Sequence, residues 1–286
     1  MRYLLFCAFG LFVLSSCVKN NPDPAWLEVS QWTLETNPNS QYPTGELTHN
    51  FTDAWVFING KVIGVFEVPF KIPVLMSGNV NIKIYPTVRN NGISATKNIY
   101  PFVEVYEINA DLVANQTLTL NPTTRYFDAA QFWVEDFEDA AIKIENDPNS
   151  LSSLVAGNDP AILQWGNFYG QVNLNSIDST WVGYTAGEMY LPTFADVYLE
   201  IDYYNTNAVT TGLLAISSSS IKNNDNIQLN AQDPSTVKWK KMYIYLKELV
   251  SASTTAEYFK QSFKAGLDSG DSDGLIIMDN IKVVYF

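Results

Sequence analysis

The stretch DAWVFINGKVIGVFEVP, residues 53–69, decides the fold class of the first half of the chain. Residues 55–58 (WVFI) are all β-branched or aromatic, and residues 61–66 (KVIGVF) return with a similar character. Between them stands Asn59-Gly60, which strongly indicates a two-residue β-hairpin, because a type I′ turn needs positive φ at both central positions. The stretch therefore predicts two antiparallel strands joined by a tight turn.

Period-two alternation continues along the chain after this hairpin. NVNIKIYPTV, YPFVEVYEI and LVANQTLTL alternate polar and apolar side chains, and RNNGIS supplies a second Asn-Gly turn. Short alternating strands with turn signals between them are typical of a β-sandwich. We therefore expect residues 26–121 to form one small β-sandwich domain.

The hairpin also carries a resemblance to a known family. VFINGKVIGVFEVP resembles the small sandwich modules of bacterial surface proteins that contain a hairpin of the type V-x-V-N-G-x-x-x-G, such as PEGA domains and related immunoglobulin-like repeats. Those modules are mostly scaffolds. The resemblance implies an immunoglobulin-like β-sandwich that acts as a spacer.

The composition allows a large core and argues against nucleic-acid binding. Hydrophobic residues make up 47% of the 286 residues, aromatic residues 14% and charged residues 16%. The aromatic enrichment favours β-structure, and the low charge content argues against global disorder. The formal net charge is −13, which repels phosphate backbones and anionic lipid surfaces.

The N-terminus has the order of a secretory signal. Arg2 provides one positive charge, residues 3–14 are apolar, and small residues precede a cleavage point. The apolar run is shorter than the ~20 residues that a transmembrane helix needs. Its end, LSSC, resembles the lipobox of bacterial lipoproteins, which implies removal of residues 1–16 and lipidation of Cys17. Residues 17–25 then form a polar tether; the alternative is an ordinary signal peptide with an incidental cysteine.

Lipidation would exclude thiol chemistry. Cys7 leaves with the signal, Cys17 carries acyl chains such as palmitate, and His49 is the only histidine. A Cys–His catalytic pair and a thiolate zinc site are then impossible. The acyl chains would hold the protein on a membrane without a spanning helix. We therefore expect a lipid-anchored protein of the cell envelope, at the outer membrane of a Gram-negative bacterium.

The second half of the chain is again rich in strands. The strand pattern lapses over PTTRYFDAAQF, residues 122–132, where we place a linker. The unit of residues 133–286 opens with WVEDFEDA and closes with GLIIMDNIKVVYF, and most segments between them alternate. Only LKELVSASTTAEYF could hold a short helix. Many strands, with strongly apolar ones at both ends, fit a two-sheet jelly roll.

Four separated segments of this unit carry a second resemblance. V-E-D-F-E, Y-L-E-I-D-Y, W-K-K-x-Y-I-x-L and I-x-M-D-N-I-K-V resemble the galactose-binding-like jelly roll that many carbohydrate-binding modules share. In such modules the first and last strands pair, and acidic side chains there often hold a structural calcium ion. The resemblance implies Glu138 and Asp279 as ligands, with Asp136 next. The alternative is a solvated acidic edge that discourages aggregation.

Aromatic residues in two loop-like segments are candidates for ligand binding. QWGNFYGQ and STWVGYTAGEMY mix aromatic side chains with amides and glycines. Sugar rings pack on flat aromatic faces while amides bind their hydroxyls. Trp165, Tyr169, Trp181 and Tyr184 are therefore the predicted ligand-binding residues. The alternative is that the two tryptophans belong to the core.

These features favour a non-catalytic lipoprotein that displays a jelly-roll module, which binds a ligand, plausibly a glycan. The alternative function is a structural or assembly lipoprotein that binds another envelope protein and no sugar. No hydrolase motif surrounds the acidic residues, and the sequence has no Walker loop and no dinucleotide-binding fingerprint. We therefore expect no enzymatic activity and no cofactor apart from one calcium ion. A glycoside hydrolase remains a third alternative, because acidic residues are plentiful.

Overall fold

A computed structural model describes residues 23–286. The predicted signal segment, most of the tether and the lipidation site Cys17 lie outside the described residues. Strands hold 52% of the chain and helix 2%, which confirms the all-β fold class. Within residues 23–286, no helix has the length and apolar character needed to cross a bilayer.

The first unit is a β-sandwich of ten strands within the described residues. They are β1 (Ala25–Val29), β2 (Thr33–Leu34), β3 (Asp53–Ile58), β4 (Lys61–Glu67), β5 (Phe70–Val74), β6 (Gly78–Arg89), β7 (Lys97–Ile99), β8 (Tyr106–Leu112), β9 (Thr117–Leu120) and β10 (Thr123–Thr124). One layer has the order β5-β1-β9, with the short pair β10-β2 beside it. The other has the order β4-β3-β6-β7, with β8 also paired to β6. Apolar side chains of both layers form one core.

The hairpin predicted from the sequence is present as β3 and β4. Asn59 and Gly60 form its turn with φ of 49° and 74°, the left-handed values of a type I′ turn. Val56 and Ile58 alternate into the core and have no exposed surface. The likeness of this unit to immunoglobulin-like repeats stays a prediction.

The second unit consists of two larger sheets and one short helix. Its elements are β11 (Gln131–Glu135), β12 (Ile144–Asn146), β13 (Val155–Gly157), β14 (Tyr169–Asn175), β15 (Thr180–Thr185), β16 (Val197–Asn205), β17 (Val209–Ser217), β18 (Ser220–Leu229), β19 (Lys240–Tyr245), α1 (Lys247–Ala252), β20 (Tyr258–Gly266) and β21 (Asp273–Tyr285). The six-stranded sheet has the order β13-β14-β21-β16-β19, with β11 also paired to β21. The five-stranded sheet has the order β12-β15-β20-β17-β18. The first and last strands pair, and the predicted jelly roll is confirmed.

The segment predicted as a linker, residues 122–132, is a structured part of this architecture. β10 pairs with β2 of the first unit, and β11 begins at Gln131. Tyr126 and Ala130 are buried in the core of the first unit. The chain therefore passes from one sandwich to the other along a packed path.

The first unit covers the outer face of the six-stranded sheet. Tyr198, Tyr243 and Val284 of the second unit belong to the core cluster of the first. The hydroxyl of Tyr198 donates a 3.0 Å hydrogen bond to the side-chain oxygen of Asn90, and the backbone N–H of Asn91 donates a 2.8 Å bond to the carbonyl of Tyr243. The two units consequently share apolar packing and backbone hydrogen bonds.

Buried charges lie in the same interface. Glu200 accepts hydrogen bonds from the hydroxyls of Tyr100 (2.5 Å) and Tyr126 (2.8 Å). Its other carboxylate oxygen is 3.2 Å from the ammonium of Lys241. Burial alone would raise the pKa of Glu200, but the charges of Lys241 and Lys282 hold that pKa below its usual value. An ionised carboxylate of the second unit is thus bound by two tyrosines of the first.

Candidate functional site

A cleft of about 780 Å³ opens between the two units. Residues 47–50, together with Arg89 and Gly92, form its wall on the first unit. Residues 238–243 and the loop before β14 form its wall on the second. Interfaces between domains are a preferred place for ligand sites.

Two tryptophans meet at the wall that belongs to the second unit. The ring centroids of Trp165 and Trp239 are 5.2 Å apart with their planes at 70°, and the ring of Tyr204 lies 6.0 Å from that of Trp239. Both tryptophans are partly exposed. The indole N–H of Trp239 donates a 2.7 Å hydrogen bond to the carbonyl of Ile162, which fixes the direction of its ring. Fixed and partly exposed rings can pack against the apolar face of a flat ligand.

The loop that carries Trp165 is held by a carboxylate from another part of the unit. Glu138 accepts hydrogen bonds from the backbone N–H groups of Asn167 (2.6 Å) and Phe168 (2.9 Å) and from the side-chain amide of Asn167 (2.8 Å). Gly166 adopts φ of 57°, and a Cβ there would lie 2.2 Å from the Glu138 carboxylate. Glycine is therefore required at this position for its backbone conformation and for the close approach.

Polar side chains surround the tryptophan pair. Gln164 and Asn50 line the cleft and are exposed, and their amides can both donate and accept hydrogen bonds. Lys238 and Lys240 flank Trp239 in the chain, line the cleft and are also exposed. The cleft therefore offers aromatic surface, amide groups and ammonium groups to one ligand.

The floor of the cleft is buried. Asp202 accepts a 2.5 Å hydrogen bond from the hydroxyl of Thr48 and lies 3.4 Å from the ammonium of Lys241. Burial raises the pKa of Asp202, although Lys241 attracts its charged form. Burial and the charge of Lys241 lower the pKa of His49, so its imidazole is neutral near pH 7. The ring of His49 stacks on Phe51 with centroids 5.0 Å apart.

Two of the four aromatic residues predicted to bind a ligand are in the core, which is a correction. Trp181 has no exposed surface, stacks on Phe263 with centroids 6.3 Å apart and donates a 2.8 Å hydrogen bond to Asn146. Tyr169 is 1% exposed, and its hydroxyl accepts the backbone N–H of Asp159 at 3.2 Å. A ring without exposed surface cannot stack on a ligand, because neighbouring side chains already cover both of its faces.

The other two predicted residues lie on different sides of the second unit. Trp165 lines the cleft. Tyr184 is on β15 of the five-stranded sheet, three residues from the inward-facing Trp181 and therefore on the outer face. It is partly exposed, and its hydroxyl donates a 3.3 Å hydrogen bond to Asp147. Because the cleft is on the side of the six-stranded sheet, Tyr184 and Trp165 do not belong to one site.

Trp239 is the site residue that the sequence analysis missed. The sequence of its segment, VKWKK, predicts only a strand of the jelly roll. A tryptophan between two lysines just before an edge strand is a signal of partial exposure, since lysines rarely point into a core. Its contact with Trp165, 74 positions earlier in the chain, depends on a loop that no period in the sequence specifies.

The residues predicted to hold calcium are only partly suited to it. Glu138 is engaged by the three N–H groups of the Trp165 loop. Burial raises the pKa of Asp279 to about 8, and the charges of Asp202 and Asp136 act in the same direction, which a bound cation would relieve. Both side-chain polar atoms of Asn280 are buried without a hydrogen-bond partner among the described residues. Within residues 23–286, no group of three or more His, Cys, Asp or Glu side chains is placed to hold a metal ion.

No protein-family model and no curated protein matches the chain. Solved structures that resemble part of it include a family 29 carbohydrate-binding module mutant complexed with mannohexaose, at 12% identity over 54% of this chain and 92% of that one, with a TM-score of 0.35. Another holds the CBM22-1 and GH10 modules of xylanase 10B from Clostridium thermocellum with xylohexaose, at 15% identity over 54% of this chain and 28% of that one (TM-score 0.38). A third is a CBM28 module specific for non-crystalline cellulose, at 13% identity over 51% and 90% (TM-score 0.38). Similarity at this level is too low to transfer a ligand to this chain.

Proposed function

We propose that the protein is a non-catalytic glycan-binding protein whose binding site is the cleft between its two units. The observation that carries the proposal is the partly exposed Trp165–Trp239 pair, in which a hydrogen bond fixes the indole of Trp239, beside the amides of Gln164 and Asn50. A sugar ring has an apolar C–H face that packs on aromatic rings and hydroxyls that need hydrogen bonds. The cleft supplies both kinds of contact.

The same cleft favours binding over hydrolysis. A glycosidase places two carboxyl groups ~5–9 Å apart across the scissile bond. Asp202 is the one acidic residue among the cleft residues that the structure describes. It is 2% exposed and is already bound by Thr48 and Lys241. We therefore assign the cleft a binding role without bond cleavage.

The proposed location rests on the sequence of the N-terminus. The lipobox-like LSSC at residues 14–17 supports lipidation of Cys17 and anchorage in the cell envelope, at the outer membrane. The first sandwich would then hold the cleft away from the lipid. One structural calcium ion near Asp136 and Asp279 remains part of the proposal. The charge of Asp136 raises the pKa of Asp279, and Asp136 directly follows β11, which pairs with the strand β21 that contains Asp279.

The test is affinity electrophoresis of the soluble chain, from residue 18 to the C-terminus, in gels that contain galactomannan, xylan, mixed-linkage glucan or polygalacturonate. We expect at least one polysaccharide to retard the protein and Trp239→Ala to abolish the retardation. Gln164→Ala, which removes an exposed amide without touching the core, should weaken it.

Tyr184→Ala is the matched control, since it removes a partly exposed aromatic ring from the opposite sheet. Its mobility in each gel should equal that of the parent protein. If no polysaccharide retards the folded protein, or if Tyr184→Ala abolishes retardation while Trp239→Ala does not, the proposed site is wrong. Capture of an envelope protein by a chain that binds no polysaccharide would support the assembly function instead.

A further inference from the structure

Most lysines on the surface of this acidic protein have a carboxylate partner. Lys260, for example, lies 2.9 Å from Glu145, and Lys264 lies 2.8 Å from Asp225. Such pairing is expected where acidic residues outnumber basic ones by 30 to 17. Within residues 23–286, four exposed lysines have no carboxylate within 4.0 Å, namely Lys61, Lys222, Lys238 and Lys240.

Two of these four lysines stand at the cleft. Lys238 and Lys240 are on either side of Trp239, and both line the cleft. The side chain of Gln232 holds the backbone of this segment by donating a 3.0 Å hydrogen bond to the carbonyl of Lys238. The two ammonium groups are therefore carried by the same short stretch of backbone as the aromatic ring proposed to bind sugar.

The other basic groups of the cleft are already neutralised. Arg89 donates hydrogen bonds to Asp53 (3.1 Å) and Glu67 (2.9 Å). Lys241 lies 3.2 Å from Glu200 and its ammonium is buried. Arg89 and Lys241 therefore have carboxylate partners, whereas Lys238 and Lys240 have no carboxylate within 4.0 Å among residues 23–286.

We propose that the glycan bound in this cleft is anionic, with carboxylate or sulfate groups that pair with Lys238 and Lys240. This inference rests on the proposed function, and it names the chemical class of the ligand. An ammonium group forms charge-assisted hydrogen bonds with a carboxylate or sulfate, and these are about twice as strong as the neutral bonds that a sugar hydroxyl offers. The sugar ring packs on Trp239 while its acidic group reaches the lysine beside that ring.

The experiment compares polysaccharides that differ in charge and share a backbone. Polygalacturonate is compared with its methyl ester, in which the carboxylates are masked, and sulfated carrageenan is compared with the same polymer after chemical desulfation. We expect the full soluble chain to bind one of the two anionic members roughly ten-fold more tightly than its neutral counterpart at low ionic strength. The preference should decrease as salt is added, because the lysines are exposed.

A charge-removing variant tests the assigned residues. Lys238→Gln/Lys240→Gln should lower the affinity for the preferred anionic member roughly ten-fold more than it lowers the affinity for its neutral counterpart. Lys61→Gln/Lys222→Gln is the matched control, since it removes the same charge from two exposed lysines away from the cleft, and it should preserve the preference.

The outcomes separate the two proposals. If the protein binds the anionic and the neutral polysaccharide of each pair equally well, the anionic ligand is overturned. The same holds if Lys61→Gln/Lys222→Gln reduces the preference for the anionic polysaccharide as much as Lys238→Gln/Lys240→Gln does. In either case, binding that depends on Trp239 would still support the glycan site. Binding of carboxylated but not sulfated chains, or the reverse, supports the inference and identifies the acidic group. If the protein binds none of these four polysaccharides, the anionic ligand is overturned. The proposed function is overturned as well only if galactomannan, xylan and mixed-linkage glucan also fail to retard the protein.

Discussion

The hydroxyl of Tyr100, in the first unit, donates a hydrogen bond of 2.5 Å to the carboxylate of Glu200, in the second. Tyr100 is 1% exposed and Glu200 has no exposed surface. Hydrogen bonds to an ionised group are stronger than neutral ones, and removal of one buried partner leaves the other desolvated without compensation. The contact between the two units is therefore buried and excludes water, as the interior of a single domain does.

Neutralising Glu200 should destabilise the whole described molecule. Glu200→Gln leaves Lys241 and Lys282 with less negative charge nearby, and we expect the free energy of unfolding to fall by about 3–5 kcal/mol. Tyr100→Phe should cost about 1–3 kcal/mol, because the carboxylate then loses one of its two tyrosine donors. Urea unfolding followed by fluorescence measures both. Two separate transitions, of which Glu200→Gln shifts only one, would show that the units unfold independently.

Alkaline pH should unfold the protein through its buried tyrosines. Burial, and next the charge of Glu200, raise the pKa values of Tyr100 and Tyr126 well above the ordinary value of a tyrosine. A pKa that is higher in the folded state contributes stability at lower pH, and this contribution is lost as pH rises above about 10. The free energy of unfolding should therefore decrease steeply above pH 10. In Tyr100→Phe/Tyr126→Phe the decrease should be shallower, as measured by urea unfolding at each pH.

Trp181→Ala should affect stability and not the cleft. Trp181 is fully buried between the sheets, and removal of a buried tryptophan costs about 3–5 kcal/mol. At a temperature where the variant is still folded, its retardation by a polysaccharide should match that of the parent protein. Thermal melting and affinity electrophoresis on the same sample separate the two effects. If Trp181→Ala had normal stability but did not bind the polysaccharide, Trp181 would have to be part of the binding site.

Glu138 should act on binding through the loop that it holds. In Glu138→Gln, the remaining carbonyl oxygen can still accept the backbone N–H groups of Asn167 and Phe168, but an amide nitrogen replaces the oxygen that accepts the side-chain amide of Asn167. The negative charge is lost as well, so the position of Trp165 is less well fixed. We expect several-fold weaker glycan binding with a melting temperature close to that of the parent. Asp139→Asn, at the next and exposed residue, is the control and should bind normally. An unchanged affinity in Glu138→Gln would show that the loop holds its conformation without this carboxylate.

Calcium should stabilise the protein if Asp136 and Asp279 bind it. We expect a chelator to lower the melting temperature of the parent protein and to have no effect on Asp279→Asn. The pKa of Asp279, raised to about 8 by burial, means that calcium competes with a proton, so the calcium effect should increase from pH 6 to pH 8. Asp271→Asn, in an exposed turn, should keep the full effect. Identical melting curves with and without chelator would remove the metal.

The sequence predicts the elements of this fold because their signals are local. Asn59-Gly60 requires a tight turn wherever the flanking strands pair, and the apolar alternation around it requires one buried face. The pairing of β11 with β21 can also be predicted from the sequence, because both strands are apolar and the resemblance to the galactose-binding-like jelly roll implies that the first and last strands pair. The packing of the first sandwich against Tyr198 and Tyr243 cannot be predicted in this way. These tyrosines alternate with core residues on strands that have two buried faces, and alternation alone does not tell which body covers the second face.

The site was harder to predict for the same reason. Trp165 and Trp181 stand in similar segments, both rich in glycine and polar residues, yet one lines the cleft and the other is in the core. The difference arises because Trp181 lies within β15 and points inward, whereas Trp165 lies on a loop that Glu138 fixes from a distant position. Composition describes the two segments alike. Only the three-dimensional contacts of each ring distinguish them.

The shared packing of Tyr198 and Tyr243 determines how the proposed binding site can be mapped by experiment. If the polypeptide were cut near residue 132 and each half expressed alone, the cleft would lose the wall formed by the first unit, and Tyr198 and Tyr243 would be exposed to water. The C-terminal fragment would then be prone to self-association and would lack Asn50 and its neighbours, so its failure to recognise a saccharide would be an artefact of dissection. The amino-terminal sandwich supplies one wall of the cleft, so the proposed site has to be tested on the whole chain.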